Sequence, residues 1–197
     1  MQVYILSYGV GNLYSLETAL KRENADTRLI TDVRKTRSAD ALLLPGVGNF
    51  TEVARKIQRQ EILDLAKNGK PLIGICLGLQ LFLEGSEEGP GRGLGLFPGK
   101  AKRLPRTVKV PQIGWNTLTV SNENEVLDRI ENNSWVYYLH SYYPETDGDW
   151  VVATTKYGVE YPTLITRKNL FGAQFHPEKS GRTGRRILRN ILRLIKR

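Results

Sequence analysis

The chain has 197 residues, 40% of them hydrophobic, with 29 Lys and Arg against 20 Asp and Glu and a net charge of +9. That length supports one compact core, while a lone cysteine excludes an internal disulfide and gives no sign of an oxidising compartment. The longest apolar stretch, Leu72 to Leu83, is interrupted by Gln80 and too short to span a bilayer, and the N-terminal MQVYILSYG has no basic region ahead of its apolar run, so a soluble, cytoplasmic protein without a signal peptide is expected.

In chain order, Val3 to Ser7 reads as a buried strand, followed by the turn Tyr8-Gly9-Val10-Gly11 and by Asn12, a suitable cap for a helix with Leu13, Leu16 and Leu20 on one face. Gly9 and Gly11 match half of a dinucleotide fingerprint, but Tyr14 stands where the third glycine belongs and no acid is placed for a ribose. Thr27 to Thr31 and the very apolar Asp40 to Leu44 are the next strands. The latter runs into Pro45-Gly46-Val47-Gly48 and a helix expected from about Phe50 to Asn68, closed by Gly69. Pro71 to Ile75 is the fourth strand. This alternation argues for a mostly parallel sheet covered by helices on both faces, with ligands at the carboxyl ends of its strands.

The fourth strand ends in Gly74-Ile75-Cys76-Leu77-Gly78 and resumes as a helix with Leu77, Leu81 and Phe82. A nucleophile-type residue with glycines two positions to either side, between a strand and a helix, has the layout of a nucleophile elbow. The strained turn leaves no room for side chains at the flanking positions. It also sets Cys76 at a helix N-terminus, where the dipole favours an anion by up to ~2 kcal/mol, roughly one unit or slightly more off a thiol pKa of about 8.5. A thiolate at neutral pH needs further help, most simply from one of the two histidines. The competing reading of Cys76 is a small buried hydrophobe.

Gly85 to Gly99 is a Gly-rich loop, and from Ala101 to Val120 the pattern turns β-like. Trp135 to Tyr143, Trp150 to Tyr157, Pro162 to Thr166 and Leu170 to His176 are further strand candidates, an antiparallel or mixed addition to the parallel sheet. From about Arg182 a final amphipathic helix carries Ile187, Leu188, Ile191, Leu192 and Ile195. The fold class is α/β, and residues 1–197 read as one domain. Basic residues cluster between Arg92 and Lys109 and after Glu178, which fits a solvated face, an acidic protein partner or a nucleic-acid footprint; no aromatics interleave with the C-terminal charges.

In LFGAQFHPE, from Leu170 to Glu178, an extended segment would send Gln174, His176 and Glu178 to one face, with His176 and Glu178 about 6–7 Å apart along the strand. A carboxylate that orients an imidazole, which takes a proton from a thiol, fits that pairing; an exposed ion pair at a turn is the plainer alternative. His140, between Tyr138 and Tyr142 on its own face, has no carboxylate there and reads as a site wall or structural residue.

Gly74-Ile-Cys76-Leu-Gly78-Leu-Gln80 with His176-Pro-Glu178 resembles the class I (triad) glutamine amidotransferases, and Pro45-Gly46-Val47-Gly48 sits where that family makes its oxyanion loop. Tyr8-Gly-Val-Gly-Asn12-Leu13, Pro111-Gln-Ile-Gly-Trp115-Asn116, His140-Ser-Tyr142 and Phe175-His-Pro-Glu-Lys179-Ser180 resemble, within it, the glutaminase subunits of imidazole glycerol phosphate synthases. Gln112 departs from the His expected in many members, which bears on local interface detail.

The resemblance implies a Cys76, His176, Glu178 triad that hydrolyses glutamine through a thioester. It implies oxyanion donors from the backbone of Leu77, Gly46, Val47 and Gly48, and glutamine held by Gln80, Glu88, Ser141 and Tyr142. It further implies a separate TIM-barrel cyclase as partner in a heterodimer, met near Asn12, Trp115, Tyr137 and Lys179, with ammonia passed across and no metal or cofactor required. Neighbouring readings are the glutaminase of anthranilate or pyridoxal phosphate synthesis, or, from another class, an inactive scaffold that binds nucleic acid.

Overall fold

The structure is a computed structural model, and it describes residues 1–9 and 13–197. The expected cap and partner contact at Asn12 lie outside the described residues. The first half alternates strand and helix: β1 (Gln2–Leu6), α1 (Tyr14–Arg22), β2 (Asp26–Ile30), β3 (Ala41–Leu44), α2 (Phe50–Lys56), α3 (Arg59–Lys67), β4 (Leu72–Ile75) and α4 (Leu77–Phe82). The second half is mostly strand: β5 (Gly85–Ser86), β6 (Lys100–Arg103), β7 (Gln112–Val120), β8 (Ser134–His140), β9 (Tyr142–Glu145), β10 (Val151–Tyr157), β11 (Val159–Arg167) and β12 (Leu170–Ala173), closed by α5 (Gly181–Ile195).

A nine-stranded sheet runs β2-β1-β3-β4-β12-β11-β10-β7-β8, and β5-β6-β9 form a small second sheet. The large sheet is parallel from β2 to β12 and antiparallel from β12 to β8. The antiparallel addition expected from the sequence thus mainly extends the parallel sheet. Successive side chains of a strand face opposite ways, and the core divides accordingly. Val3, Ile5, Leu43, Ile73 and Ile75 pack with Leu16 and Leu20 of α1 and Ile187, Leu188 and Ile191 of α5. Tyr4, Leu6, Leu42, Leu44 and Leu72 pack with Ile62 of α3 and Leu79 and Phe82 of α4. β3, β4 and β12 are buried at every residue, as central parallel strands must be.

Three expected elements come out differently. The helix over residues 50–68 is two helices, because Ile57 is extended (ψ 132°). The Gln58 side chain there accepts from the Val33 amide at 2.6 Å and donates to Asp32 at 3.4 Å; long-range hydrogen bonds set the break, and no local signal marks it. The strand over residues 135–143 divides at Ser141 into β8 and β9, which join different sheets. The last strand stops at Ala173, before His176.

The basic C-terminal helix spends much of its charge inside the chain. Arg185 and Arg189 both grip Glu23, whose side chain is only 4% exposed. Arg193 pairs with Asp128 at 3.2 Å and Arg197 with Glu125. Among the described residues, no helix is long and apolar enough to cross a membrane.

Candidate active site

β4 delivers Cys76 into a turn with φ +49° and ψ −103°, a region that side-chain-bearing residues adopt only under strain. The neighbouring glycines are a steric necessity. A Cβ on Gly74 would stand 2.7 Å from the Gly78 carbonyl, and one on Gly78 only 1.9 Å from the Leu44 oxygen. β4 also pairs in parallel with β12, Ile75 opposite Ala173, and the Cys76 amide donates to the Ala173 carbonyl at 2.7 Å. That ladder brings the thiol beside the residues that follow β12.

Strand alternation does not pair His176 with Glu178. The chain leaves the strand after Ala173 and turns through a 3-10 helix at Pro177–Lys179. That turn brings the carboxylate back, with Glu178 Oε1 2.8 Å from His176 Nδ1. A carboxylate only accepts, so Nδ1 carries the proton and Nε2 is the ring's basic end in the neutral form. The histidine backbone is pinned on both sides: its N–H donates to the Tyr137 carbonyl at 2.8 Å and its C=O accepts from Ser180 Oγ at 2.6 Å.

His176 Nε2 and Glu178 Oε2 are buried and make no hydrogen bond of ordinary geometry among the described residues. Burial pushes the His176 pKa down, but the Cys76 side chain and the Glu178 carboxylate outweigh it and raise the value to about 10. The thiol and the ring converge on Gly46. A Cβ there would stand 2.7 Å from Cys76 Cβ and 3.1 Å from His176 Cε1. Catalytic hydrogen bonds are often open before substrate binds.

Cys76 opens onto a cavity of ≈ 280 Å³ lined by Gly46, Gly48, Leu77, Gln80, Glu88, Pro111, Leu139, His140, Ser141 and Tyr142. Every residue expected to hold glutamine lies on that wall. Of the expected oxyanion donors, Gly46, Gly48 and Leu77 line it, whereas Val47 does not and its side chain packs against the core. Glu88 Oε2 accepts from the Phe50 amide at 2.6 Å, at the start of α2. His140 is a wall residue as expected: Nδ1 faces the Tyr142 carbonyl at 2.9 Å, Nε2 faces Tyr161 at 3.2 Å, and burial pushes its pKa down to about 3.

Trp115 and Tyr137 are cross-strand partners on β7 and β8 with rings edge-on at 5.9 Å, and Lys179 Nζ lies 5.9 Å from the Tyr137 ring centre. Ile113, Trp135 and Leu139 share the exposed face of this hairpin. Gln112, expected to bear on an interface, is instead buried, with Oε1 2.8 Å from the Tyr161 hydroxyl; alternation turns it away from Ile113. Pro111, Leu139 and Gln174 had no expected role in the site, and the Gln174 amide reaches the Cys76 sulfur at 3.5 Å. For Gln174 the signal was its alternation with His176. A thiol at a helix start, an imidazole beside it and a carboxylate behind the imidazole can take up the thiol proton and return it to a leaving amine, which is acyl-transfer chemistry.

The sequence matches the family described as glutamine amidotransferase class-I over residues 5–194. It is 43% identical to the imidazole glycerol phosphate synthase subunit HisH of Archaeoglobus fulgidus, over 99% of this chain and 100% of that one. It is 43% identical to the subunit of the same name from Methanothermobacter thermautotrophicus, over 98% and 99%. In fold it is similar to the solved PurLQS of Thermotoga maritima, with TM-score 0.78, 20% identity and coverage of 98% and 97%. It is likewise similar to a solved glutamine amidotransferase of Thermotoga maritima, with TM-score 0.72, 16% identity and coverage of 100% and 98%.

Proposed function

This chain belongs to the class-I glutamine amidotransferase family, and from that premise we propose that it is the glutaminase subunit of an imidazole glycerol phosphate synthase, acting in histidine biosynthesis. Residues 1–197 work as one glutaminase domain. Cys76 attacks the side-chain amide carbon of glutamine, and His176, oriented by Glu178, accepts the thiol proton and passes it to departing ammonia. The tetrahedral oxyanion is held by backbone N–H groups of Leu77 and of the Gly46-Val47-Gly48 loop, a preorganised donor being worth ~3 kcal/mol. Water then cleaves the thioester to glutamate. Glu88 and Gln80, with Ser141 and Tyr142, hold the α-amino and α-carboxyl groups. Ammonia passes to a TIM-barrel cyclase, the partner in a cytoplasmic heterodimer, which makes imidazole glycerol phosphate and aminoimidazole carboxamide ribotide.

The observation that carries this reading is one cavity in which Cys76 meets Gln80, Glu88, Ser141 and Tyr142, in a chain matched end to end by synthase subunits. Trp115, Tyr137 and Lys179 beside it suit a docking face for the cyclase. The test is glutamine hydrolysis by wild type and Cys76→Ala, with and without the cyclase. A weak basal rate that the cyclase stimulates, and that Cys76→Ala abolishes, is expected. Stimulation by an anthranilate or pyridoxal phosphate synthase in place of the cyclase, or no diazo-ketone adduct on Cys76 with the cyclase present, would overturn the proposal.

A further inference from the structure

We propose that the side-chain amide of Gln174 is the hydrogen-bond donor that holds the Cys76 sulfur as a thiolate, with Gln80 and the Tyr142 carbonyl fixing the direction of that amide. The inference rests on Cys76 being the nucleophile. Three distances make a chain: Gln80 Nε2 lies 2.9 Å from the Tyr142 carbonyl and 3.1 Å from Gln174 Oε1, and Gln174 Nε2 lies 3.5 Å from the sulfur.

An amide seen by its shape alone can face either way, but here the polarity is forced. The Tyr142 carbonyl can only accept, so the Gln80 atom facing it is the NH2. That same NH2 faces Gln174, so the Gln174 atom there is the oxygen. The NH2 of Gln174 is thereby left to face the sulfur. Turning either amide over would put two acceptors or two donors together inside the protein, where an unmade hydrogen bond is most costly. Gln174 is fully buried and Gln80 nearly so, so water does not compete for the donor.

The consequence is selective for charge. A thiolate accepts an N–H well and a neutral thiol accepts poorly, so a donor of fixed direction favours ionisation. The Leu139 carbonyl, 3.7 Å from the sulfur, pulls the other way, because it can engage only the protonated thiol. Other ionisable groups surround the site. His176 follows β12 with Glu178 behind it, Tyr161 on β11 is kept neutral by burial, neutral His140 ends β8, and Glu88 lies across the cavity. Gln174 adds a donor without adding a charge, which leaves the imidazolium free to move its proton.

The test is iodoacetamide alkylation of Cys76 in the full chain, followed by intact mass from pH 5 to 10, without glutamine or partner. Gln174→Met keeps the bulk and removes the donor. Its alkylation midpoint is expected about one pH unit higher, with alkylation about three- to tenfold slower below the midpoint. The plateau above the midpoint should equal the wild-type rate or exceed it by up to about threefold, since a more basic thiolate is more nucleophilic. Gln174→Leu, which likewise removes the donor without adding a charge, keeps the test decisive if the Met variant fails to fold, with the same rise in midpoint expected. Profiles that superimpose on wild type, or a lowered plateau with an unmoved midpoint, overturn the proposal. Neither outcome depends on glutamine turnover, so the glutaminase reading is judged separately.

Discussion

Ser180 ties Tyr137 to His176: its hydroxyl accepts from the Tyr137 amide at 2.9 Å and donates to the His176 carbonyl at 2.6 Å. The proposed base is thus anchored to β8, the strand whose outer face carries Trp135, Tyr137 and Leu139. Ser180 is almost fully buried, so Ser180→Ala leaves the Tyr137 amide without its acceptor, while the His176 carbonyl keeps the Lys179 amide at 3.0 Å. A stability loss of about 1–3 kcal/mol in urea denaturation is expected. Glutaminase activity should fall, because the proposed base loses one of its ties to β8.

Glu178→Gln should cost about 10²–10⁴-fold in glutamine hydrolysis with KM little changed, by analogy with losing the orienting carboxylate of a catalytic triad. The amide can present its NH2 to Nδ1 and favour the wrong tautomer. Steady-state kinetics with the cyclase present check this. A loss confined to KM would place Glu178 in substrate binding instead.

The two histidines give stability opposite slopes with pH. His176 has a folded pKa of about 10, above an unfolded value of about 6.5. Its contribution is complete below about 6.5 and is lost as pH rises towards 10. His140 has a folded pKa of about 3, below the same unfolded value. Its contribution is present above about 6.5 and is lost as pH falls towards 3. Each slope is on the order of 1 kcal/mol per pH unit. Urea titrations across pH should therefore show a maximum near neutrality, with His140→Gln flattening the acid limb and His176→Gln the alkaline one.

Gly46→Ala and Gly78→Ala separate site from scaffold. The added methyl of Gly78→Ala meets the backbone of β3, so unfolding at lower denaturant, by about 2 kcal/mol or more, is expected. The methyl of Gly46→Ala meets the side chains of Cys76 and His176 and also the Ile75 carbonyl at 2.9 Å, so some stability is lost too and activity should fall further than stability. Paired denaturation curves and turnover numbers read the difference.

Trp115→Ala should weaken cyclase binding by about tenfold or more, since an exposed indole packed on a tyrosine has the character of an interface anchor. Basal turnover without the cyclase should be unchanged. Titration calorimetry of the pair measures the first, and a glutamate assay the second.

The elbow and the parallel half of the sheet were legible because each is written in a short run of sequence, whereas Gln80, Glu88, Ser141 and Tyr142 came from the family resemblance. Gly74, Cys76 and Gly78 announce a strained turn by spacing alone. Alternation along β1, β3 and β4 assigns the core. What escaped was set mostly by partners far away in the chain. The break at Ile57 answers to Gln58 reaching Val33 and Asp32. The end of β12 answers to a turn that Pro177 starts and Ser180 secures. The burial of Gln112 depends on Tyr161, which lies 49 positions on. Gln174 stood on the correct side of its segment, yet nothing local reveals that an amide nearly a hundred positions earlier turns it toward sulfur.

The parallel pairing of β4 with β12 fixes the order in which the protein is completed. Strand β4, buried on both faces, has β3 on one side and waits for residues 170–173 on the other. Until residues 170–173 are in place, that side of β4 is an unpaired apolar strand edge. A chain lacking residues 170–178 would leave β4 without its second neighbour and Cys76 without His176 and Glu178.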